Sequence, residues 1–238
     1  MNEIAVPIVI LAGGIAHRLR PLTENIPKAM LDIHGEPFIA HQLRLLRSKG
    51  ARRVVICAGY LGEMIQSFVK DGHAFNLEIT FSFDGPKLLG TGGAIRQALP
   101  ILGDSFLVLY GDSYLNCDYQ LVQNAFQNSG KQALMTVFPN QGQWDTSNVE
   151  FRNGKIMAYS KKNQSPNMHH IDYGLGAFQS AAFSDVPRDV PFDLADLYAQ
   201  LLSRGELAGK EIMERFYEVG SLRGLTEFRS LFENGIGS

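Results

Sequence analysis

Leu11-Ala12-Gly13-Gly14-Ile15-Ala16-His17-Arg18-Leu19-Arg20-Pro21-Leu22-Thr23-Glu24-Asn25-Ile26-Pro27-Lys28 leaves an apolar run, residues 8–11, and turns at once into a loop. Two glycines come first, and Arg18, Arg20 and Lys28 follow. Paired glycines let backbone N–H groups approach an anion with no Cβ in the way. Cations placed after them neutralise phosphate charge. The strand ends, the backbone opens and positive charge arrives together. That conjunction points to a polyphosphate at the carboxyl end of a sheet strand, where ligands of open α/β sheets sit.

Outward from this loop, strand-like and helix-like segments alternate. Residues 6–11 read as a strand. Residues 37–49 carry apolar side chains at Phe38, Ile39, Leu43, Leu45 and Leu46 and stop at Gly50, a helix ending on a glycine. Arg53–Ala58 reads as a strand, 61–69 as a helix, 77–83 as an alternating strand and 92–99 as a helix. A strand at 106–110, a helix at 119–128 and a strand at 133–138 continue the pattern. Repeated βα units of this length predict a three-layer α/β structure around a largely parallel sheet. After Pro139 the rhythm changes. Short strands are expected at 149–151, Lys155–Tyr159 and 171–177, the first two joined by Arg152-Asn153-Gly154, a hairpin signal. Helices are expected at 193–203 and 221–232, the second with Ser221 as N-cap. With no repeat, low-complexity tract or linker, residues 1–238 read as one domain, with a subregion from about 140 to 217.

Composition narrows the function classes. At 238 residues, 45% hydrophobic and 19% charged, the chain has the balance of a soluble globular protein. A net charge of −2 gives no support for a nucleic-acid surface. Two cysteines, Cys57 and Cys117, make neither a disulfide framework nor a zinc site, so reduced core thiols are expected. Met1-Asn2-Glu3 lacks the basic start of a signal peptide. No apolar run approaches the ~20 residues of a membrane helix. A cytoplasmic protein with no membrane or nucleic-acid partner is the expectation.

Several short stretches bear chemistry. Phe106-Leu107-Val108-Leu109-Tyr110-Gly111-Asp112-Ser113 is an apolar strand that delivers one carboxylate at its end. Such an aspartate either ligates Mg²⁺ together with phosphate oxygens and water, or caps the following turn. Leu89-Gly90-Thr91-Gly92-Gly93-Ala94-Ile95 is a second glycine-rich turn before a helix. It is not a dinucleotide fingerprint, because Ile95 stands where the third glycine would fall, and no Gly-Lys-Ser/Thr follows for a P-loop. It is either a tight helix start or a surface where backbone meets a flat base. Phe216-Tyr217-Glu218-Val219-Gly220-Ser221 presents Glu218 before a turn, and Lys161 and Lys162 follow the strand at Lys155–Tyr159. No Ser-His-Asp or Cys-His pattern is readable, which argues against covalent catalysis.

The ordered series Gly-Gly, Arg-Leu-x-Pro-Leu-Thr, Pro-Lys resembles the signature of the sugar-1-phosphate nucleotidylyltransferases, or NDP-sugar pyrophosphorylases. The chain is similar to the short type exemplified by heptose-1-phosphate guanylyltransferases and N-acetylmuramate-1-phosphate uridylyltransferases. Ala16 and His17 stand where the family carries a third glycine and a small hydroxyl residue. The resemblance runs from residue 8 to about 225 and implies a Rossmann-like α/β/α fold with a mostly parallel mixed sheet. It implies a nucleotide-binding part at about 1–139, a sugar side at 140–217 and a C-terminal helix at 221–232. The implied reaction joins an NTP, with GTP or UTP favoured, to a sugar 1-phosphate of heptose, N-acetylmuramate, mannose or glucose type for cell-envelope polysaccharides. Arg18 would hold the β- and γ-phosphates, Lys28 the charge growing at the α-phosphoryl group, and Asp112 with Glu218 a Mg²⁺ ion. Glu218 stands where the family has aspartate. Leu11, Ala12, Gly13, Gly14, Gly59, Gly90, Thr91 and Gly92 are the implied nucleotide contacts. Asn148, Glu150, Lys161, Lys162, Asp172 and Gly174 are the implied sugar-phosphate contacts, with Trp144 and Asp145 in the same pocket. The family's Glu-Lys-Pro has lost its Glu and Pro here, so register does not choose between the two lysines. Two alternatives stay open: a cytidylyltransferase of the same fold acting on an alcohol phosphate, and a non-catalytic subunit that binds an NDP-sugar. A monomer and a homodimer are equally compatible with the sequence.

Overall fold

The structure is a computed structural model that describes residues 3–233. In chain order the strands are β1 (Ile8–Ala12), β2 (Asp32–Ile33), β3 (Glu36–Pro37), β4 (Arg53–Ala58), β5 (Glu78–Phe83), β6 (Ser105–Tyr110) and β7 (Ser113–Leu115). They continue as β8 (Ala133–Pro139), β9 (Val149–Arg152), β10 (Lys155–Tyr159), β11 (His170–Gln179), β12 (Leu207–Glu211) and β13 (Phe216–Glu218). The α-helices are α1 (Phe38–Ser48), α2 (Gly62–Val69), α3 (Gly90–Leu102), α4 (Tyr119–Ser129), α5 (Leu194–Ser203) and α6 (Leu222–Glu233).

Ile8, Val9 and Ile10 are fully buried, as a strand covered on both faces must be. β1 is accordingly central, with β4 and β6 parallel to it on either side and β5 parallel beyond β4. β11 lies between β6 and β8 and runs against both; β12 then continues parallel to β8. All of these strands except β11 therefore point one way, and the mostly parallel mixed sheet expected from the sequence is what forms. β9 and β10 make a hairpin off the start of β11. Asn153 and Gly154 at its turn have φ of 50° and 76°, the left-handed pair that a tight hairpin needs.

Strand alternation divides the core in two. Ile8 and Ile10 face a cluster with Leu43, Leu46, Ile65 and Val122 from α1, α2 and α4. Val9 and Leu11 face the opposite cluster, with Ile95, Ala98, Leu197 and Leu201 from α3 and α5. Each such fully buried aliphatic side chain contributes roughly 1.5–3 kcal/mol. A third cluster joins Leu19, Ile33, Phe38, Val219 and Phe228 and fastens α6 to the first half of the chain. No described helix is long and apolar enough to cross a membrane.

The second glycine-rich stretch forms the helix start that was one of its two readings: Gly90, Thr91, Gly92 and Gly93 make the first turn of α3, which begins two residues before the expected helix at 92–99. The N–H groups of Gly92 and Gly93 both donate to the Phe192 carbonyl, at 2.8 and 3.1 Å, which satisfies two of the free donors at the helix start. Gly50, at φ 94°, closes α1, and the Ser221 hydroxyl accepts from the Gly224 N–H at 3.0 Å, both as expected. Cys57 and Cys117 are free and buried.

Candidate active site

The carboxyl ends of β1, β4, β5 and β6 converge on a cavity of about 210 Å³. Leu11, Ala12, Gly13 and Gly14 line it from the first loop, and Gly90 and Thr91 from the start of α3. Gly59 does not line it. A Cβ on Gly59 would lie 2.8 Å from the Gly13 carbonyl oxygen and 3.0 Å from Gly13 Cα, so this glycine lets the ends of β1 and β4 press together. Gly92 does not line it either: its Cα faces the Phe192 ring, where a Cβ would lie 2.7 Å from the nearest ring carbon. Both glycines shape the cavity from behind.

Lys28 opens a short 3₁₀ turn after Pro27, and Asp112 follows β6. Their side chains meet at 2.5 Å, Nζ to Oδ2, each about one-fifth exposed. Asp112 and Tyr110 also line a second cavity of about 490 Å³, so the two cavities meet at these residues.

β13 brings Glu218 to the same junction. Glu218 pairs with Ser113 across the β7–β13 ladder, and the Val219 N–H donates to the Asp112 carbonyl at 2.9 Å. A Cβ on Gly220 would lie 2.6 Å from Asp112 Oδ2 and 2.9 Å from Glu218 Oε2, so both carboxylates converge on one point. Two converging carboxylates suit a hard divalent cation such as Mg²⁺. Among the described residues no group of three or more His, Cys, Asp or Glu side chains could hold a metal, so a cation here needs oxygens from substrate or water. Glu218 has a second use. Its carboxylate accepts from the Gly220 N–H and, at 2.5 Å, from the Ser221 hydroxyl, which places negative charge at the positive end of α6.

The second cavity gathers Arg18, Asn148, Lys161, Asp172 and Gly174, together with Trp144 and Asp145. Asn148 Oδ1 accepts from the Asp172 N–H at 2.9 Å, and Asp172 Oδ1 accepts from the Gly174 N–H at 3.0 Å. Burial pushes the Asp172 carboxyl above its ordinary pKa; the Gly174 N–H and the Lys161 charge pull against that. Lys161, paired with Asp193 at 3.4 Å, lines the cavity, whereas Lys162 does not. Glu150 stays outside and pairs with Arg152 at 3.0 Å. Arg18 lines the second cavity and not the first.

Four charged residues of these cavities, Asp84, Arg215, Arg223 and Glu227, escaped the sequence reading. Asp84 follows β5 and lines the first cavity; burial raises its pKa, and the Leu89 N–H, 3.0 Å from Oδ2, lowers it. Its signal was present, a carboxylate just beyond an alternating strand, as for Asp112. Arg215 lines the second cavity, stacked 3.9 Å from the Trp144 ring centroid and 4.7 Å from that of Tyr217. Nothing local in the sequence links residues so far apart.

The chain matches the nucleotidyl transferase family model over residues 8–230. It is 28% identical over 216 residues to a UTP–glucose-1-phosphate uridylyltransferase of Synechocystis sp., covering 83% of this chain and 55% of that one. It is 40% identical over 112 residues to an N-acetylmuramate alpha-1-phosphate uridylyltransferase of Neisseria meningitidis serogroup B, covering 47% of this chain and 48% of that one. The chain thus spans about half the length of these curated relatives. A Bacillus anthracis protein crystallised with sucrose has the same fold, with a TM-score of 0.83, 23% identity and 95% coverage of both chains. The two-cavity α/β chain belongs to the nucleotidyl transferase family.

Proposed function

We propose that the chain joins an NTP to a sugar 1-phosphate, giving an NDP-sugar and pyrophosphate. The observation that carries this is the meeting of two cavities at Asp112, with the Lys28 ammonium against its carboxylate. The nucleotide occupies the first cavity, against Leu11–Gly14, Gly90 and Thr91, where Asp84 offers an acceptor to the base. The sugar phosphate occupies the second. Its phosphate oxygen attacks the α-phosphorus; the new O–P bond forms as the bond to the departing pyrophosphate breaks. Such a transfer needs positioning and charge neutralisation more than acid–base chemistry. Lys28 stabilises the charge growing at the α-phosphoryl group. Arg18 and Lys161 hold the sugar phosphate, which revises the β,γ-phosphate role expected for Arg18 and selects Lys161 over Lys162. Asp112 and Glu218 would hold Mg²⁺, which when bound would supply positive charge to neutralise the reacting phosphates. Residues 1–139 supply the nucleotide contacts and 140–217 most of the sugar side, to which the first loop adds Arg18; the reaction runs in the cytoplasm.

The relatives named for uridylyl transfer favour UTP, with GTP the second choice. Pyrophosphate release, measured across the four NTPs crossed with a set of sugar 1-phosphates, tests the proposal. Release is expected only when Mg²⁺ and both substrates are present. Release that ignores the sugar phosphate, or none in any combination, would overturn it. With an alcohol phosphate added to the acceptor set, turnover confined to CTP and that acceptor would select the cytidylyltransferase alternative.

A further inference from the structure

We propose that the sugar cavity is built for an acceptor carrying a second acidic group, a carboxylate or a phosphate, remote from its anomeric phosphate. This rests on the nucleotidyl-transfer assignment above and names the acceptor's chemical class. The carrying observation is a pair of arginines that share one carboxylate. Arg215 Nη2 donates to Glu227 Oε2 at 2.8 Å, and Arg223 Nε donates to Glu227 Oε1 at 3.1 Å. All three residues line the second cavity. Each oxygen of Glu227 thus serves one guanidinium, and two positive charges meet one negative charge. Among the described residues, neither guanidinium makes another hydrogen bond or ion pair. One positive charge is left over beside a cavity, with unused N–H groups on both forks.

Arg215 is also set in place before any ligand arrives. Its guanidinium lies against the rings of both Trp144 and Tyr217, so little side-chain freedom remains to be lost on binding. Arg18 and Lys161 already answer the anomeric phosphate. The Arg215–Arg223 pair therefore suits a different anion, and a planar fork suits a carboxylate or phosphate.

Trp144 is the single tryptophan of the chain, so its emission reports on this wall of the cavity without requiring turnover. Two ligand pairs serve as probes. Glucose 1-phosphate is set against glucose 1,6-bisphosphate, and N-acetylglucosamine 1-phosphate against N-acetylmuramate 1-phosphate. Each is titrated into the full chain with Mg²⁺ present. In at least one pair the acidic member binds roughly 10–100-fold tighter than its neutral parent, as expected for charge-assisted hydrogen bonds. Which pair responds tells phosphate from carboxylate. Arg215→Gln and Arg223→Gln each bring that ratio to within about threefold of one; Arg223→Gln leaves the Trp144 stack intact. Equal or weaker binding of both acidic members, or a ratio unchanged in both variants, overturns the proposal. Selective binding with no pyrophosphate release from any NTP would instead overturn the transferase assignment and keep the acidic subsite. Turnover without selectivity would do the reverse.

Discussion

Replacing Lys28 with alanine separates what this residue does for the fold from what it does for the reaction. Its ammonium lies 2.5 Å from Asp112, and the two side chains are 22% and 20% exposed. Breaking an exposed pair costs about 0–1 kcal/mol and breaking a buried one about 3–5, so one-fifth exposure places this loss near 2 kcal/mol. In a chain of this size each kcal/mol shifts Tm by roughly 2–4 °C, and a fall of about 4–8 °C follows. The catalytic loss is larger. A donor aimed at charge that develops only in the transition state is worth ~3–4 kcal/mol, so kcat drops on the order of 10²–10³-fold. NTP affinity changes less, by under about tenfold, because in the ground state the ammonium is held by Asp112. The assay combines kcat at saturation, the Kd of a non-hydrolysable NTP analogue, and calorimetry. A hundredfold rise in Kd with kcat unchanged would refute the reasoning and make Lys28 a ground-state anchor.

Gly59→Ala forces a Cβ against the backbone of Gly13, which cannot swing aside, so we expect a loss of about 1–3 kcal/mol in urea denaturation. Gly14→Ala, with nothing within 4 Å of its new Cβ, should leave stability within ~0.5 kcal/mol yet weaken NTP binding by obstructing the phosphate approach. The Asp172 carboxyl is raised by burial, so the folded protein binds this proton more tightly than the unfolded chain does. Its contribution to stability is therefore complete below the unfolded value near 4 and falls as pH rises through the raised folded value. Urea midpoints should show wild type losing ground to Asp172→Asn over that window; a difference independent of pH would contradict the assignment. Burial pushes the Cys117 thiol up to about 12 and the Cys57 thiol higher still. Neither should react with an aromatic disulfide at pH 8 until the chain is unfolded, and fast labelling of the native protein would show that one of them is open.

The sheet was legible because its strands are apolar runs separated by helical periods, and burial on both faces requires such runs. Arg53–Ala58 and Lys155–Tyr159 formed with the predicted bounds. The strands that escaped prediction lack that signal for physical reasons. β12, Leu-Ala-Gly-Lys-Glu, buries only Leu207 and takes its place through its ladder with β8 at one edge of the sheet. β7 and β13 are three residues each and exist only as a pair, and β2 and β3 have two residues each. The glycines of the first loop, Lys28 and Asp112 were legible from order along the chain. Local sequence said less about which glycines touch a cavity and which only let strands approach, because Gly59 and Gly92 are set by Gly13 and Phe192. The same limit hid Arg215. Its position depends on Trp144, Tyr217 and Glu227, which lie far from one another along the chain or across a turn and meet only in the fold.

In the proposed reaction the nucleotidyl group passes directly between two adjoining cavities, with sugar phosphate and nucleotide facing each other across the α-phosphorus. The stereochemical course at that phosphorus tests it most directly. An NTP made chiral at the α-position with sulfur is turned over with the accepted sugar 1-phosphate, and the configuration of the resulting NDP-sugar is determined. One in-line displacement predicts inversion. Retention would mean that a side chain first takes the nucleotidyl group, and the two cavities would then have no need to be filled together.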